Sequence, residues 1–563
     1  MTGRMRAFLR WCQRRPFQGA FLLNAGIWLL FYAWASPIYL TNDDPGIYFM
    51  VSGALKDWPA SPYSLFTHVW MGRLWHQLYR LWPHIPWYGG SELLALYVSF
   101  SVFLGLLIRR WKEWGLVLYA ALFLSGGMWF LLYFHFTMAS AFLMTAGLGL
   151  WVTGTPRRMQ AAGWLLMVWG FLIRPAGVMI AAVIGAAFLW RWLVARRWMH
   201  TPRKVIRRRM LAVGGMIGLA WLLQQVHQHH YRHSGWADYL EYNRLRSAIH
   251  DYRIDAAGKD SAEKAAFLAR LGWSPNDLAL FRAHLYGHPT FSLAHLRRIP
   301  LRAAWHDKLS LSRAVSMALS MVNGAGWSAF HLSFLWLCAL FLWWVHRREA
   351  VLAALGWMAL WAGTIWLTAW VLKPPPLSVL FPLTFGIGFT AAYSFGGDGR
   401  PPLRVRQYIG LIGVVLFVGW HLWWLRNASA AHRSRTRHVV EALRTMKTRP
   451  CTYVVMPSFP YAYTPPLHEY FPWDSVNIIP VGGMMQTPLA DTLLQRKGLN
   501  KNLFMTLLKP DVVLLTSDSL LPMQIRRFFQ QHEGWTVEGR VVDSLHLPEP
   551  WWRFYMWKFT RSD

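Results

Sequence analysis

The feature that most restricts this chain is a set of uncharged apolar runs about 18 to 20 residues long, the length that crosses a hydrocarbon core of about 30 Å. In such a core every backbone N–H and C=O must be satisfied within the segment, which leaves helices or closed barrels. Charged residues make up only 15% of the 563 residues, against 55% hydrophobic ones, and there are 37 tryptophans. A soluble domain carries about 25% charge. Disorder is excluded by the apolar content, and so is a simple soluble enzyme. The net charge of +32 is sorted by membrane side, so no nucleic-acid partner is expected.

Eleven spans are expected, over 17–40, 90–108, 115–132, 138–154, 161–174, 176–190, 210–225, 328–345, 350–371, 375–396 and 407–425. The pair 161–174 and 176–190 is short and broken at Arg174-Pro175. With the N-terminus inside, the cytoplasmic connections hold 23 Lys and Arg and the short outer ones hold 5, which sets the orientation. The basic start before Phe17 resembles a signal peptide, but the apolar run is too long and no small-residue cleavage site follows, so it reads as a retained first helix. Cys12, Cys338 and Cys451 fall in three compartments, and no disulfide is expected.

Three outer features follow. The connection 41–89 opens with Thr41-Asn42-Asp43-Asp44-Pro45-Gly46 and carries Phe66, Trp70, Leu74, Leu78 and Trp82 at helical spacing, which predicts an interfacial helix. The outer loop 226–327 holds 13 basic and 8 acidic side chains, with helical patterning at 259–271 and 276–287. In the tail, β-branched runs (Thr452–Val455, Val476–Ile479, Val512–Leu515, Val537–Val542) alternate with helical stretches at 433–447, 489–497 and 521–532. This predicts a small α/β domain outside. The expected fold class is therefore an all-α polytopic membrane protein of about eleven helices with interfacial helices and a small C-terminal α/β extracytoplasmic domain. Residues 1–425 form the membrane module and 426–563 the periplasmic domain.

Asp43 and Asp44 are the sharpest chemical signal. Carboxylates at a membrane edge are costly and tend to be functional; these could take a proton from an acceptor hydroxyl. Equally, Asn42 or Asp43 caps the next helix. Arg174, at the outer end of an apolar run, needs a carboxylate or phosphate partner, or it snorkels to headgroups. His135 sits in a tight outer turn as a substrate contact or an interface anchor. Lys373 precedes three prolines. Arg297, Arg298 and Arg302 form a basic patch suited to lipid phosphate. His227, His229, His230 and His233 invite a metal reading, but no carboxylate completes it, so no metal or other cofactor is favoured. Cations with carboxylates on one side suit a reaction between a lipid phosphate and a neutral hydroxyl or amine.

This layout resembles the GT-C type of membrane glycosyltransferase, in which an acidic residue or pair follows the first helix. The carriers here are Asn42-Asp43-Asp44 after 17–40, the 66–82 helix and the tail domain. Asn42, Ser52-Gly53 and Trp87-Tyr88 also resemble a bacterial membrane protein group with an Asn-Asp-Asp start. The resemblance implies inverting sugar transfer at the periplasmic face of the inner membrane. The donor would be a polyprenyl-phosphate sugar and the acceptor a lipid-linked glycan or other envelope component. A divalent metal is used by some members only. Asp43 or Asp44 matches the catalytic acidic position. Asn42, His135, Arg174, Lys373 and the 297–302 arginines are candidate substrate contacts without a motif match. An O-antigen type polymerase or ligase relying on loop Arg and His, and a lipid-linked substrate flippase, are the competing readings.

Overall fold

Arg15-Pro16 breaks the chain's first helix, because proline cannot continue a hydrogen-bonded turn but starts a new one readily. Helices α1 (Gly3–Arg14) and α2 (Pro16–Tyr32) meet at a tight corner where a Cβ on Gly19 would lie 2.8 Å from Cys12 Cβ. The computed structural model describes residues 3–154, 156–194, 202–250, 261–298, 352, 355–364, 377–394, 405–467, 471–546 and 553–562. The expected span 328–345 lies outside them, and so do Arg302, Lys373 and part of the expected spans 350–371 and 375–396.

The first expected span is shorter than 17–40. Helix α2 stops at Tyr32 and the chain extends through Pro37 into β1 (Ile38–Tyr39). Then come α3 (Asp43–Ser52), the amphipathic α4 (Val69–Leu81) and α5 (Trp87–Trp111). Next, α6 (Glu113–Leu122) passes through a π turn into α7 (Met128–Leu132) and β2 (Tyr133–Phe134). Four helices follow: α8 (Phe136–Thr153), α9 (Arg157–Ile173), α10 (Gly177–Val194) and α11 (Arg203–Arg232). Among the described residues α5, α8 and α11 are long and apolar enough to cross a membrane, and stretches within α10 and Ser378–Thr390 are shorter apolar helices. Bare side chains such as Leu29, Leu30, Leu165 and Ile217 give these helices the apolar outer surface that hydrocarbon tolerates and water does not.

After α11, the described residues form α12 (Ala237–His250), α13 (Ser261–Leu271), α14 (Pro275–Arg282) and α15 (Leu293–Leu296). Helix α16 (Leu377–Ser394) returns to the bundle. Helix α17 (Val405–Lys447) is one unbroken element of 43 residues, about 65 Å at 1.5 Å per residue. Its far end supplies Val439, Leu443 and Met446 to the outer core.

The tail carries β3 (Thr452–Val455), β4 (Ile478–Pro480), α18 (Pro488–Arg496), α19 (Leu503–Leu507), β5 (Val512–Thr516), α20 (Leu521–His532), β6 (Val537–His546) and β7 (Arg553–Arg561). The sheet order is β4-β3-β5-β7-β6. Strand β3 pairs parallel with β4 and β5, while β7 pairs antiparallel with β5 and β6. Strand β7 was not foreseen from the sequence. Its Arg, Lys and Trp side chains blur the alternation, and only its burial between β5 and β6 makes it a strand.

One hydrophobic core joins three segments: Ile47 and Trp75 from the connection 41–89, Tyr242 and Phe281 from α12 and α14, Trp473 and Phe528 from the tail. Polar pins reinforce it. Asp277 of the Ser274 capping box accepts from His532 Nε2 at 2.9 Å, Leu503 N–H donates to Gly287 O at 2.6 Å, and Lys497 pairs with Asp57 at 3.0 Å. The closest approach is at Gly89, where a Cβ would meet Pro466 O at 1.9 Å. Gly89→Ala is therefore expected to push the tail off the first turn of α5, lowering stability by about 1–3 kcal/mol. Gly90→Ala, whose Cβ meets nothing within 4 Å, should be neutral. Thermal midpoints and protease nicking of the tail compare the two.

Candidate functional site

Two short extended segments build the site. Strands β1 and β2 pair in parallel, Ile38 with Tyr133 and Tyr39 with Phe134, and Leu40 N–H donates to Phe134 O at 2.8 Å. This bridge sets Asn42–Asp44 beside His135 and Phe136, about ninety residues away in the chain. Helix α3 begins at Asp43, so both carboxylates occupy its first turn, where the helix dipole favours negative charge.

The two aspartates part company there. Asp44 is fully buried. Its Oδ1 accepts from Tyr88 Oη at 2.9 Å and from Phe136 N–H at 3.0 Å. Its Oδ2 has no hydrogen-bond partner and stands 4.0 Å from His135 Nε2. Glu92, one turn beyond Tyr88 on the same face of α5, is also fully buried, and neither of its oxygens has a hydrogen-bond partner. Burial raises the Asp44 pKa above the usual carboxylate range; the two hydrogen bonds oppose the rise and the charge of Asp43 adds to it. Asp43, by contrast, is exposed, and its field reaches Arg174 and Tyr239.

His135 caps α8. Its Nδ1 accepts from Thr137 N–H at 3.0 Å, which leaves the proton of the neutral ring on Nε2. Burial, with Arg174 nearby, holds its pKa well below that of a free imidazole. Arg174 ends α9, and Ser140 Oγ holds that end by donating to Gly170 O at 2.7 Å. The guanidinium lies 5.0 Å from the Phe66 ring and 4.7 Å from the Phe136 ring, which stack with centroids 5.6 Å apart. Its Nε is buried without a hydrogen-bond partner. A cation held by ring faces keeps its hydrogen-bonding capacity for a planar anion.

Asn42 is spent on the tail. Its Nδ2 donates to Pro457 O at 2.8 Å and Phe459 O at 3.1 Å, and its Oδ1 accepts from Ala462 N–H at 2.8 Å. Arg297 makes a two-pronged pair with Glu241, 3.2 and 2.8 Å, and reaches Asp238 at 3.7 Å. Arg298 follows it at the end of the described loop. Among the histidines considered for metal, His227 Nδ1 accepts from Val69 N–H at 3.2 Å and His230 meets Arg73 at 3.2 Å. Among the described residues no three His, Cys, Asp or Glu side chains are grouped to hold a metal ion.

The structure thus brings together Asn42, Asp43, Asp44, His135 and Arg174 and adds Tyr88, Glu92, Phe66 and Phe136. Glu92 carried a readable signal, as an acid inside an apolar helix. Nothing in the local sequence marked the two phenylalanines as a cradle for Arg174.

No family model matches the chain, and no curated protein matches it. Among solved structures it is similar to that of ArnT from Cupriavidus metallidurans in the apo state, at 13% identity and a TM-score of 0.38, over 96% of this chain and 98% of that one. A likeness at that level decides neither fold nor chemistry.

Asp44 should act through its hydrogen bonds. Asp44→Asn keeps an oxygen for Tyr88 and Phe136. Asp44→Ala strands the buried Phe136 N–H, at a cost of about 1–3 kcal/mol. Because the folded state raises the Asp44 pKa, its contribution to stability is full below the ordinary carboxylate range and falls as pH rises through the raised value. Thermal midpoints across that range should fall with pH in the native protein and less so in Asp44→Asn.

Proposed function

We propose that this chain is a bacterial inner-membrane glycosyltransferase of the GT-C type that moves a sugar from a polyprenyl phosphate to a lipid-linked or other envelope acceptor. The N-terminus is cytoplasmic, and the tail domain and active site are periplasmic, as the Lys and Arg distribution indicates. The observation that carries the reading is one geometry: the β1–β2 bridge sets the turn that bears the exposed carboxylate of Asp43 beside His135 and Phe136, and Arg174, at the end of α9, is held over the Phe66 and Phe136 rings.

The division of labour follows from burial. Asp43 can meet a substrate, so it is the base; Asp44 cannot, so it is a positioning residue that holds α3 against α5 and α8. The acceptor hydroxyl gives its proton to Asp43 as its oxygen bonds to the anomeric carbon from the side opposite the phosphate. The bond from that carbon to the phosphate oxygen breaks and its electron pair stays on the oxygen. The phosphate bears the resulting negative charge, which Arg174 stabilises. This displacement inverts the anomeric configuration.

An apolar cavity of about 890 Å³ supports a lipid donor. It lies between α8, α9, α10 and α11, and its lining includes Phe171, three residues before Arg174. A prenyl chain in that cavity would present its phosphate towards the arginine. Neither metal nor other cofactor is invoked. The ligase alternative would draw on Arg297, Arg298 or Arg302; of these the charge of Arg297 is met by Glu241 and Asp238, and Arg302 lies outside the described residues.

With a labelled polyprenyl-phosphate hexose in proteoliposomes containing envelope lipid extract, Asp43→Asn should reduce sugar transfer by about 100-fold or more without loss of insertion. Arg174→Gln should weaken donor use, and Arg174→Lys should restore it only in part, since an ammonium lacks the planar fork. Full transfer by Asp43→Asn would refute the mechanism.

A further inference from the structure

The segment that leads into α4 is a strap tied to two other helices. From Ser64 to Trp70 it crosses the C-terminal ends of α9 and α11. Tyr231 Oη of α11 donates to Ser64 O at 2.5 Å and accepts from Ser64 N–H at 3.0 Å. His68 N–H donates to Leu172 O of α9 at 3.0 Å. The His68 side chain is fully buried and is the N-cap of α4. Its Nδ1 accepts from Trp70 N–H at 3.2 Å, and its Nε2 donates to Leu223 O of α11 at 2.9 Å. His227 of α11 completes the cap, with Nδ1 accepting from Val69 N–H at 3.2 Å. Two imidazoles, with ring centroids 5.2 Å apart, thus take the first two N–H groups of one helix. Such groups are usually met by Ser, Thr, Asp or Asn, none of which titrates near neutral pH.

The strap bears directly on the site. Its Phe66 is one of the two rings that hold Arg174. Leu223, whose carbonyl receives His68, lines the apolar cavity, and so does Phe171, whose ring lies 6.1 Å from that of His68. A neutral ring with its proton on Nε2 fits every contact of His68. A second proton, on Nδ1, would point at Trp70 N–H, and its charge would sit at the positive end of the helix dipole. His227 is placed in the same way towards Val69. The other charged and titratable groups around the two rings are Arg73 of α4, which meets His230 of α11 at 3.2 Å, His229 and His233 next to His230, and Arg174 at the end of α9. None of these is an acid. Burial lowers the His68 pKa; the bond to Leu223 O opposes the fall and the charge of His230 adds to it. The contribution of the cap is therefore full above the ordinary imidazole value and falls as pH drops from there towards the lowered one.

We infer that His68, with His227 behind it, is a positioning residue for the lipid phosphate: as neutral imidazoles the two seat the strap, the strap holds Phe66 against Arg174, and acid unseats it and weakens donor capture. The inference rests on Arg174 receiving the phosphate in sugar transfer. It makes transfer sensitive to the acidity of the medium on the side where the site opens, through a pair that touches neither substrate. Burial raises the Asp44 pKa, so that group responds with the opposite sign: acid that loosens the strap tightens the seat of α3.

Two measurements on the full chain in proteoliposomes test this between about pH 5 and 8. Hydrogen exchange over residues 64–75, corrected for the intrinsic pH dependence of exchange, reports the strap. Sugar transfer from a labelled polyprenyl-phosphate hexose to envelope lipid extract, at varied mole fraction of donor, gives the donor KM and kcat. As pH drops, protection of the strap should fall and the donor KM should rise about tenfold, as for one hydrogen bond lost, with a smaller change in kcat. His68→Asn and His227→Asn each place an amide oxygen where Nδ1 accepts, and neither can take up a proton. In the double variant protection and donor KM should stay flat across the range. His68→Phe, which has no acceptor for Trp70 N–H, should show the raised KM at every pH. Constant protection and constant KM in the native protein overturn the inference. So does an acid rise in KM that persists in the double variant, or a strap that loosens while KM stays unchanged. If the native protein transfers no sugar at any pH, the transfer reading itself falls and the inference falls with it, whatever the exchange shows.

Discussion

Asp44 is the constraint on which the outer half of this molecule turns. A buried carboxyl group is costly unless it is hydrogen-bonded, and one oxygen of this one, Oδ1, accepts from both the Tyr88 hydroxyl of α5 and the Phe136 N–H that opens α8. Those bonds tie α3 to two membrane helices. Together with the β1–β2 bridge they set the position of Asp43, the next residue along. One aspartate is sacrificed to geometry so that its neighbour can be both exposed and held in place.

The tail domain is part of the same construction. Asn42 makes three side-chain hydrogen bonds to the Pro457–Ala462 loop, and the unbroken α17 leads from the bundle to the sheet. Shared burial of Ile47, Phe281 and Phe528 in one core makes undocking of the tail expensive, because it would expose apolar surface of three segments at once. The turn that bears Asp43 and the end of α9 that bears Arg174 therefore lie close to the tail domain, and an apolar cavity opens between α8, α9, α10 and α11.

Much of the fold was legible in order along the chain. Trp70, Leu74 and Leu78 of the expected stripe lie on α4, which starts only at Val69 and so leaves Phe66 outside, and the β-branched runs at Thr452 and Val512 are strands, because local period and propensity decide such elements. The end of α2 was misjudged by eight residues. Hydropathy continues through Trp34 and Leu40, whereas backbone conformation changes at the approach to Pro37. Strand β7 escaped because a strand covered by two neighbours needs no strong alternation of its own. The candidate site was legible as residue types: an acidic pair after the first apolar run, and His135 and Arg174 at the ends of apolar runs. The role of each was not: Asn42 and Asp43 are adjacent and polar, yet one is bound to the tail and the other is exposed.

The sequence alone determined the apolar character of the long helices and the positions of most of the described ones. Those properties follow from run length, periodicity and charge counts, which are local or additive. Only the tertiary structure decided which aspartate is buried and what holds Arg174. Burial and hydrogen bonding depend on segments a hundred or more residues apart arriving at one point, and no local pattern encodes that meeting.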